Sequence, residues 1–499
     1  MKLTENPIFI TQRRITHRGG VLAGMLIAGV LGFCLLVGFI GSLTDEFGNA
    51  RPAADMGRLF YGWIIGLEIL VLVLGGFAHI VRVLTEDRKA GLWDSNRLTP
   101  MSPAQILTGY WFGAPLREFY MGLVLAGFGL VITLSAGLPP TLWLGTQLLI
   151  LSTAAFFGLL ALLMGMAFQR AQGLLVILLF LFTIPVSFLA PSRLLTNYLL
   201  PTYGIGHLFI ATVPVSEQPM DQDWTSATHL FGLSINPVLL SLILQASVGV
   251  FLWRTLVRKT ANPFQPLMLR GEAVGLFTWL TVAQQALIWS MWLGIFPTTA
   301  KYRNSDDIPL IIAVHGGTLL LGLMLLASAS PQPERVRVES LRLGFTNFGP
   351  LFSRSAAPLA LALAGIAAVA FLTQFLFNLA DSWRILLVVC VNLTEVFLLF
   401  VLVLEYCRLR HRRRHLGFVA LWLVLSCVAP LILALAFQNA GFARFSMLAP
   451  GFIALAGPDD TEWPPLFYTL MAHMLIVILL GLVWRRRWLG VIGQAESSN

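Results

Sequence analysis

Charge is the first property that this sequence has little of. Only 11% of its 499 residues are Asp, Glu, Lys or Arg, whereas 57% are hydrophobic, and ordinary soluble globular proteins do not have this composition. Lysine is scarcer still, since the chain contains four, and none of them follows a glycine. The Gly-Lys pair of a phosphate-binding P-loop is therefore missing, and we expect the chain to hydrolyse no ATP by that mechanism.

Cysteine is also scarce. The four cysteines lie inside or beside apolar runs, and no two of them form a Cys-x-x-Cys pair, so no disulfide framework is indicated. His411 and His415 are four residues apart, but they flank three arginines, whose positive charge disfavours a metal ion. We therefore expect no metal and no cofactor.

Long apolar runs dominate what is present. A helix crosses a hydrocarbon core of about 30 Å with about 20 apolar residues. Twelve runs meet this standard, near 21–43, 60–84, 112–137, 141–168, 172–190, 234–257, 274–296, 308–327, 356–377, 384–404, 416–437 and 466–484. The first is too long for a signal-peptide core and no small-residue cleavage site follows it, so it is interpreted as a retained crossing. The sequence predicts an all-α polytopic membrane protein with about 12 transmembrane helices.

The positive charges predict the orientation. If both termini are cytoplasmic, the cytoplasmic segments carry 25 of the 33 Lys and Arg residues and the outer segments carry seven. Cytoplasmic loops retain Lys and Arg, so this distribution predicts that both termini lie inside. Orientation in a membrane then accounts for the net charge of +9, and no nucleic-acid partner is expected.

A polar, amphipathic segment at residues 86–113 separates the second and third apolar runs. It contains an acidic start, a turn glycine, two apolar side chains, a Leu-Thr-Pro break and a helix cap, namely Glu86, Gly91, Leu92, Trp93, Leu98, Thr99, Pro100 and Ser102. A new helix is predicted to start at Ser102, which can cap it. Pro103 suits the first turn of this helix, and Gln105 follows three residues after the cap. The segment is expected to form a short surface helix, a turn and a helix that returns to the bilayer.

This segment resembles the loop after the second membrane helix in the permease subunits of type 2 ABC transporters. The residues that match are Glu86, Gly91, Leu98, Thr99, Pro100, Ser102, Gly109 and Gly113. The resemblance implies that residues 86–109 are a coupling helix that docks on an ATPase, with Leu92, Trp93 and Leu98 entering a cleft and Trp93 as the anchor. It further implies a separate ATP-binding subunit, in two copies, and a place in the bacterial inner membrane. An ordinary interfacial linker is the competing interpretation.

The N-terminal segment mixes apolar and basic residues after Asn6-Pro7, which predicts an interfacial helix on anionic lipid. This helix would be similar to the elbow helix of that family; a frayed basic tail is the alternative.

The sequence also contains an internal repeat. An offset of 256 residues aligns Asn262-Pro263 with Asn6-Pro7, and the pattern of long and short loops repeats after it. The chain is interpreted as two six-helix halves, 1–257 and 258–499. The loop at 328–355 of the second half lacks the Thr-Pro break and is expected to couple weakly.

Ionisable residues inside crossings are costly in lipid and indicate function or internal hydrogen bonding. Glu68 lies in the second run, and Glu395 lies in the tenth with Asn392 one turn before it. A proton-coupled secondary transporter would need such groups and stays an alternative. A membrane glycosyltransferase that uses a lipid-linked sugar is another, for which the outer-loop carboxylates would serve: Asp45, Glu46, Asp221, Asp223, Asp459 and Asp460. The expected function is an exporter permease whose substrate the sequence does not identify.

Overall fold

The computed structural model describes residues 5–17, 20–44, 52–167, 195–213, 228–230, 233–263, 265–295, 317–318, 321–326, 328–329, 356–378, 383–410 and 463–496. By its internal contacts the chain divides into two compact units, Met1–Leu267 and Met268–Asn499. The predicted crossings at 172–190 and 416–437, most of the run at 308–327 and nearly all of the loop at 328–355 lie outside the described residues. The six outer-loop carboxylates lie outside them as well.

In its described part, the first unit consists of helices and a short antiparallel hairpin in which Thr228 pairs with Ile235. Its elements are α1 (Pro7–His17), α2 (Gly20–Ser42), α3 (Ala53–Glu68), a π-helical segment (Ile69–Gly75), α4 (Gly76–Lys89), α5 (Leu92–Leu98), α6 (Pro103–Gly113), α7 (Leu116–Ser135), α8 (Pro140–Ala167), α9 (Leu195–Leu199), α10 (Thr202–Ile210), β1 (Thr228–Leu230), β2 (Leu233–Ile235) and α11 (Pro237–Ala261).

The second unit contains four long helices in its described part: α12 (Arg270–Ile295), α13 (Ala357–Asn378), α14 (Trp383–Arg410) and α15 (Trp463–Glu496). α13 packs against α12 and α14, and α14 also packs against α15. Buried side chains such as Phe397 and Leu404 of α14 form part of this core.

Seven helices of the described chain are long and apolar enough to cross a membrane, judged by length and composition. They span Gly20–Ser42, Ala53–Lys89, Leu116–Ser135, Pro140–Met166, Pro237–Ala261, Leu387–Glu405 and Leu466–Arg486. Each coincides with a run that the sequence predicted, so the chain is a largely helical, multi-pass membrane protein. α12 and α13 also coincide with predicted runs but are not among the seven.

The second crossing is longer than the sequence predicted. α3, the π-helical segment and α4 form one continuous helix of 37 residues from Ala53 to Lys89, whereas the apolar run covers only 60–84. At about 1.5 Å per residue, a helix of this length extends about 55 Å, well beyond the hydrocarbon thickness of about 30 Å. The apolar run ends at residue 84, so the last residues of α4 and the 86–113 segment lie beyond the apolar stretch of this helix.

The third crossing begins later than predicted, at Leu116 rather than at residue 112. Pro115 precedes α7, and proline has no N–H to donate into a preceding helical turn, so α6 ends at Gly113 and a separate helix begins. α7 packs against α2 and α3, and α8 packs against α4 and α11. Aromatic side chains fill these contacts; Phe77 of α4 and Phe157 of α8, for example, meet edge to face with their ring centres 6.2 Å apart.

Candidate functional site

The 86–113 segment begins with a sharp change of direction at Gly91. The last turn of α4 ends when the N–H of Ala90 donates to the carbonyl of Glu86 over 2.9 Å. Gly91 follows with φ of 76°, a left-handed conformation that costs glycine little because it has no Cβ. No atom lies within 4 Å of the place where a Cβ would be, so the need for glycine here is conformational and not steric. The sequence prediction of a turn at this residue is confirmed.

The Thr99-Pro100 break and the helix cap at Ser102 have the geometry that the sequence predicted. Thr99 is extended, with φ of −76° and ψ of 161°, as expected of a residue before proline. The Ser102 hydroxyl accepts a hydrogen bond from the Gln105 N–H over 3.3 Å, and the Gln105 side chain accepts one from the Ser102 N–H over 2.8 Å. This reciprocal capping box starts α6, with Pro103 in its first turn.

The apolar side chains of α5 do not share one face. Trp93 is only 7% exposed, and its ring lies 5.5 Å from the ring of Tyr110 in α6. Leu92 is 51% exposed and Leu98 is 90% exposed. The expectation that Trp93 is presented to a partner together with the two leucines therefore differs from the structure, in which Trp93 anchors α5 to its own chain. Neighbouring helix positions point about 100° apart, so one short helix can bury Trp93 and expose Leu92.

One hydroxyl group connects the three helices of the segment. The Tyr110 hydroxyl donates to the Asp87 carboxylate of α4 over 2.6 Å and accepts a hydrogen bond from the Asn96 side chain of α5 over 3.1 Å. Burial raises the pKa of this hydroxyl, and the hydrogen bond to Asp87 raises that pKa further. The phenol therefore stays protonated and keeps its donor role. The sequence prediction missed Asn96 and Tyr110, because no local pattern distinguishes them from ordinary helix residues.

Two arginines of the segment reach the ends of other helices. Arg88 donates to the carbonyls of Gly165 and Met166, at the end of α8, over 2.8 and 2.7 Å. Arg97 donates to the carbonyl of Thr260, in the last turn of α11, over 2.8 Å. Glu86, by contrast, is exposed and pairs with Arg82 one turn earlier in α4 over 2.9 Å. Exposed pairs of this kind contribute little to stability, so Glu86 is available to other partners.

The N-terminal helix is fastened to the same segment. The Asn6 side chain accepts a hydrogen bond from the Ile8 N–H over 3.0 Å, which caps α1, and donates to the Gln105 carbonyl of α6 over 2.6 Å. Gly109 makes the close approach possible, since a Cβ there would lie 2.8 Å from the Cβ of Ile8. The predicted helix after Asn6-Pro7 is therefore present and packs on α6; a frayed tail is not what the structure has.

The intramembrane carboxylates that the sequence indicated are buried. Glu68 has no exposed surface, and one of its carboxylate oxygens accepts a hydrogen bond from the Gln147 side chain of α8 over 2.8 Å. Its other oxygen has no hydrogen-bond partner among the described residues. The π-helical segment starts at the next residue. In the second unit, Asn392 and Glu395 are both buried on α14.

A further buried carboxylate, Glu118, lies near the start of α7. One of its oxygens is 3.1 Å from Nδ1 of His79 and 2.8 Å from the Arg117 guanidinium. Arg117 and Glu118 thus pair with each other, and Glu118 also contacts α4 through His79. No group of three or more His, Cys, Asp or Glu side chains within the described ranges is arranged to hold a metal ion.

Comparisons of the chain with protein-family models, with curated proteins and with solved structures gave no match. The functional assignment therefore depends on the geometry of the 86–113 segment and on the resemblance of its residues to the coupling loop.

Proposed function

We propose that this chain is the permease subunit of an ABC-type exporter that couples to a separate ATP-binding subunit. The single observation that carries the proposal is the geometry of α5. A seven-residue helix, bounded by the turn at Gly91 and the break at Thr99-Pro100, holds the nearly fully exposed Leu98 beyond the end of a crossing helix. Exposed apolar side chains on a rigid, separately oriented helix are what helix-in-groove docking uses.

The support beneath α5 favours docking over a passive linker. Trp93, Asn96 and Arg97 all point into the chain, where they contact Tyr110 and the end of α11. A linker needs only to span two crossings, and a flexible one of similar length would do so without these contacts. A docking element must be rigid so that movement of a partner displaces the crossings and is not absorbed by bending.

In the proposed transporter the chain forms the translocation path and the partner hydrolyses ATP, in keeping with the missing P-loop. The chain lies in the bacterial inner membrane with both termini in the cytoplasm. Its 12 crossings form two six-helix halves, which together make one complete unit above two ATPase subunits. Substrate moves by alternating access, and the apolar composition suits lipids, lipid-linked glycans, hydrophobic drugs and hydrophobic peptides equally.

Copurification tests this function. The tagged chain is extracted in mild detergent, and the proteins that copurify are assayed for ATP hydrolysis. Leu98→Asp is expected to lose the ATPase, because it places a charge where an apolar contact is required. Ile15→Asp is the matched control, since Ile15 is 63% exposed on α1, and it is expected to retain the ATPase. An ATPase that stays bound to Leu98→Asp at the parent affinity would contradict docking through α5.

A second candidate is a proton-coupled secondary transporter, which Glu68 favours. A fully buried carboxylate with one neutral donor is costly in a membrane and needs a proton or a counter-charge. Proteoliposomes that contain the chain alone, with an entrapped pH-sensitive dye and an imposed pH gradient, distinguish the two functions. The secondary transporter predicts proton flux that Glu68→Gln abolishes, whereas the ABC permease predicts no flux above that of empty liposomes.

A further inference from the structure

The end of α11 organises the segment that leads into the second unit. After Ala261 the chain turns back on α11. Two basic side chains near the end of the helix, Arg258 and Lys259, donate hydrogen bonds to the residues that follow it. Arg258 donates to the side chain of Gln265 and to the carbonyl of Leu267, both over 2.8 Å. Lys259 donates to the carbonyl of Pro263 over 2.7 Å. The described residues 262–263 and 265–267, which we call the connector, are thus held against the helix end immediately before Met268 begins the second unit.

Arg97 of α5 binds the same helix end. Its Nε donates to the carbonyl of Thr260 over 2.8 Å, and its side chain is only 18% exposed. That carbonyl is among the last four of α11, which have no partner within the helix. The C-terminus of a helix also carries partial negative charge, which favours a guanidinium. The contact is therefore suited to hold α5 and α11 together. The Asp94 carboxylate lies 3.5 Å from the Arg97 guanidinium, but it is 78% exposed and adds little to the contact.

Arg88 makes a comparable contact at the end of α8, but the consequence differs. Only the helix held by Arg97 leads directly into the connector. A displacement of α5 therefore reaches the end of α11 through Arg97, whereas the Arg88 contact belongs to α4 and ends at α8. The loop of the second half lacks the Thr-Pro break, so the first-half segment is the better equipped of the two to receive movement from a partner.

We propose that Arg97 is a positioning residue that passes movement of α5 to the end of α11 and, through the contacts of Arg258 and Lys259, to the connector. This proposal rests on the proposed function for the source of the movement, but the mechanical link itself does not depend on an ATPase. Arg97 touches no substrate. It acts by keeping the Thr260 carbonyl, and with it the last turn of α11, at a fixed place relative to α5.

The first experiment tests the link in the chain alone, in lipid nanodiscs, by hydrogen exchange of peptides covering residues 256–267. Arg97→Ala is expected to speed exchange in these peptides by about tenfold, because it removes a hydrogen bond from a charged donor. Arg97→Lys, which keeps a charged donor, is expected to restore most of the protection. Arg82→Ala is the control, because Arg82 is 74% exposed and its ion pair is with exposed Glu86. Unchanged exchange in Arg97→Ala overturns the link.

The second experiment adds the ATPase that copurifies with the parent chain. Arg97→Ala is expected to bind it with the parent affinity while permease-stimulated ATP turnover falls about tenfold, and Arg97→Lys is expected to recover turnover. A structural role alone would not separate binding from turnover in this way. Parent turnover in Arg97→Ala overturns the transmission role even if exchange changes. If no ATPase copurifies with the parent, the proposed function and the transmission role fail together, and the exchange result decides the link by itself.

Discussion

The different environments of Trp93 and Leu98 give the sharpest prediction. Truncation of Trp93 should lower the stability of α5, whereas truncation of Leu98 should weaken binding of the ATPase. Trp93 is 7% exposed and packs on Tyr110, whereas Leu98 is 90% exposed. Truncation of a buried Trp to Ala costs about 3 to 5 kcal/mol, and the lower end applies here because a short surface helix can partly collapse. Truncation of an exposed residue changes folding stability by about 0.5 kcal/mol or less.

These energies convert to measurable rates. A loss of about 3 kcal/mol raises the population of the opened segment by about 100-fold, since each 1.4 kcal/mol is a factor of ten. Trp93→Ala should therefore speed amide exchange in residues 92–98 by about 100-fold, as measured by mass spectrometry on the chain in nanodiscs. Leu98→Ala should change the same exchange by no more than about twofold, which corresponds to its smaller effect on stability.

Binding of the ATPase should depend on Leu98, although the stability of the segment should not. If its side chain enters an apolar cleft, Leu98→Ala should weaken the ATPase complex by about tenfold, since full burial of a leucine contributes about 1.5 to 3 kcal/mol. Exchange that stays within twofold in Trp93→Ala would show that the Tyr110 contact does not hold α5. Parent affinity in Leu98→Ala would show that the exposed end of α5 is not the docking surface, and the reasoning behind the proposed function would then be refuted.

Three other predictions concern topology, the intramembrane carboxylate and the N-terminal helix. A cysteine at Thr99 should react with an impermeant reagent only from the cytoplasmic side, because the distribution of Lys and Arg predicts that the end of α4 lies there; labelling only from outside would reverse the topology. Glu68→Gln should have the melting temperature of the parent in a thermal-shift assay, since an amide can keep the hydrogen bond with Gln147. Glu68→Leu should lower the melting temperature, and equal melting temperatures of the two variants would show that the hydrogen bond contributes nothing. Gly109→Val should release α1, because its Cβ would meet Ile8 at 2.8 Å, and limited proteolysis should then cleave within residues 7–17; protection equal to the parent would contradict the close packing.

Local signals explain what the sequence predicted well. The positions of the described crossings follow from apolar length, because a bilayer of fixed thickness demands about 20 such residues. The turn at Gly91, the extended Thr99 and the capping box at Ser102 each depend on residues within three positions of one another. In such cases the backbone preference of the residues themselves selects the conformation, and no distant contact is needed.

The candidate site was predicted less completely, because its geometry depends on which residues face inward. The sequence placed Leu92, Trp93 and Leu98 together as an apolar set and did not distinguish the buried member from the exposed ones. That difference arises when the Tyr110 ring of the next helix covers Trp93. The π-helical segment after Glu68 was also missed, since Ile69–Gly75 is composed of ordinary apolar helix residues.

By itself, the sequence determined that this is a helical, multi-pass membrane protein with a polar, interrupted segment between its second and third crossings. Tertiary structure alone decided how that segment is held. Asn6 binds the carbonyl of Gln105, and Arg97 binds that of Thr260, across separations of 99 and 163 residues. Any arginine or asparagine can donate to any accessible carbonyl, so the residue types do not identify the partner. The packing of the helices brings Arg97 to the end of α11 and Asn6 to the first turn of α6, and thereby selects each contact.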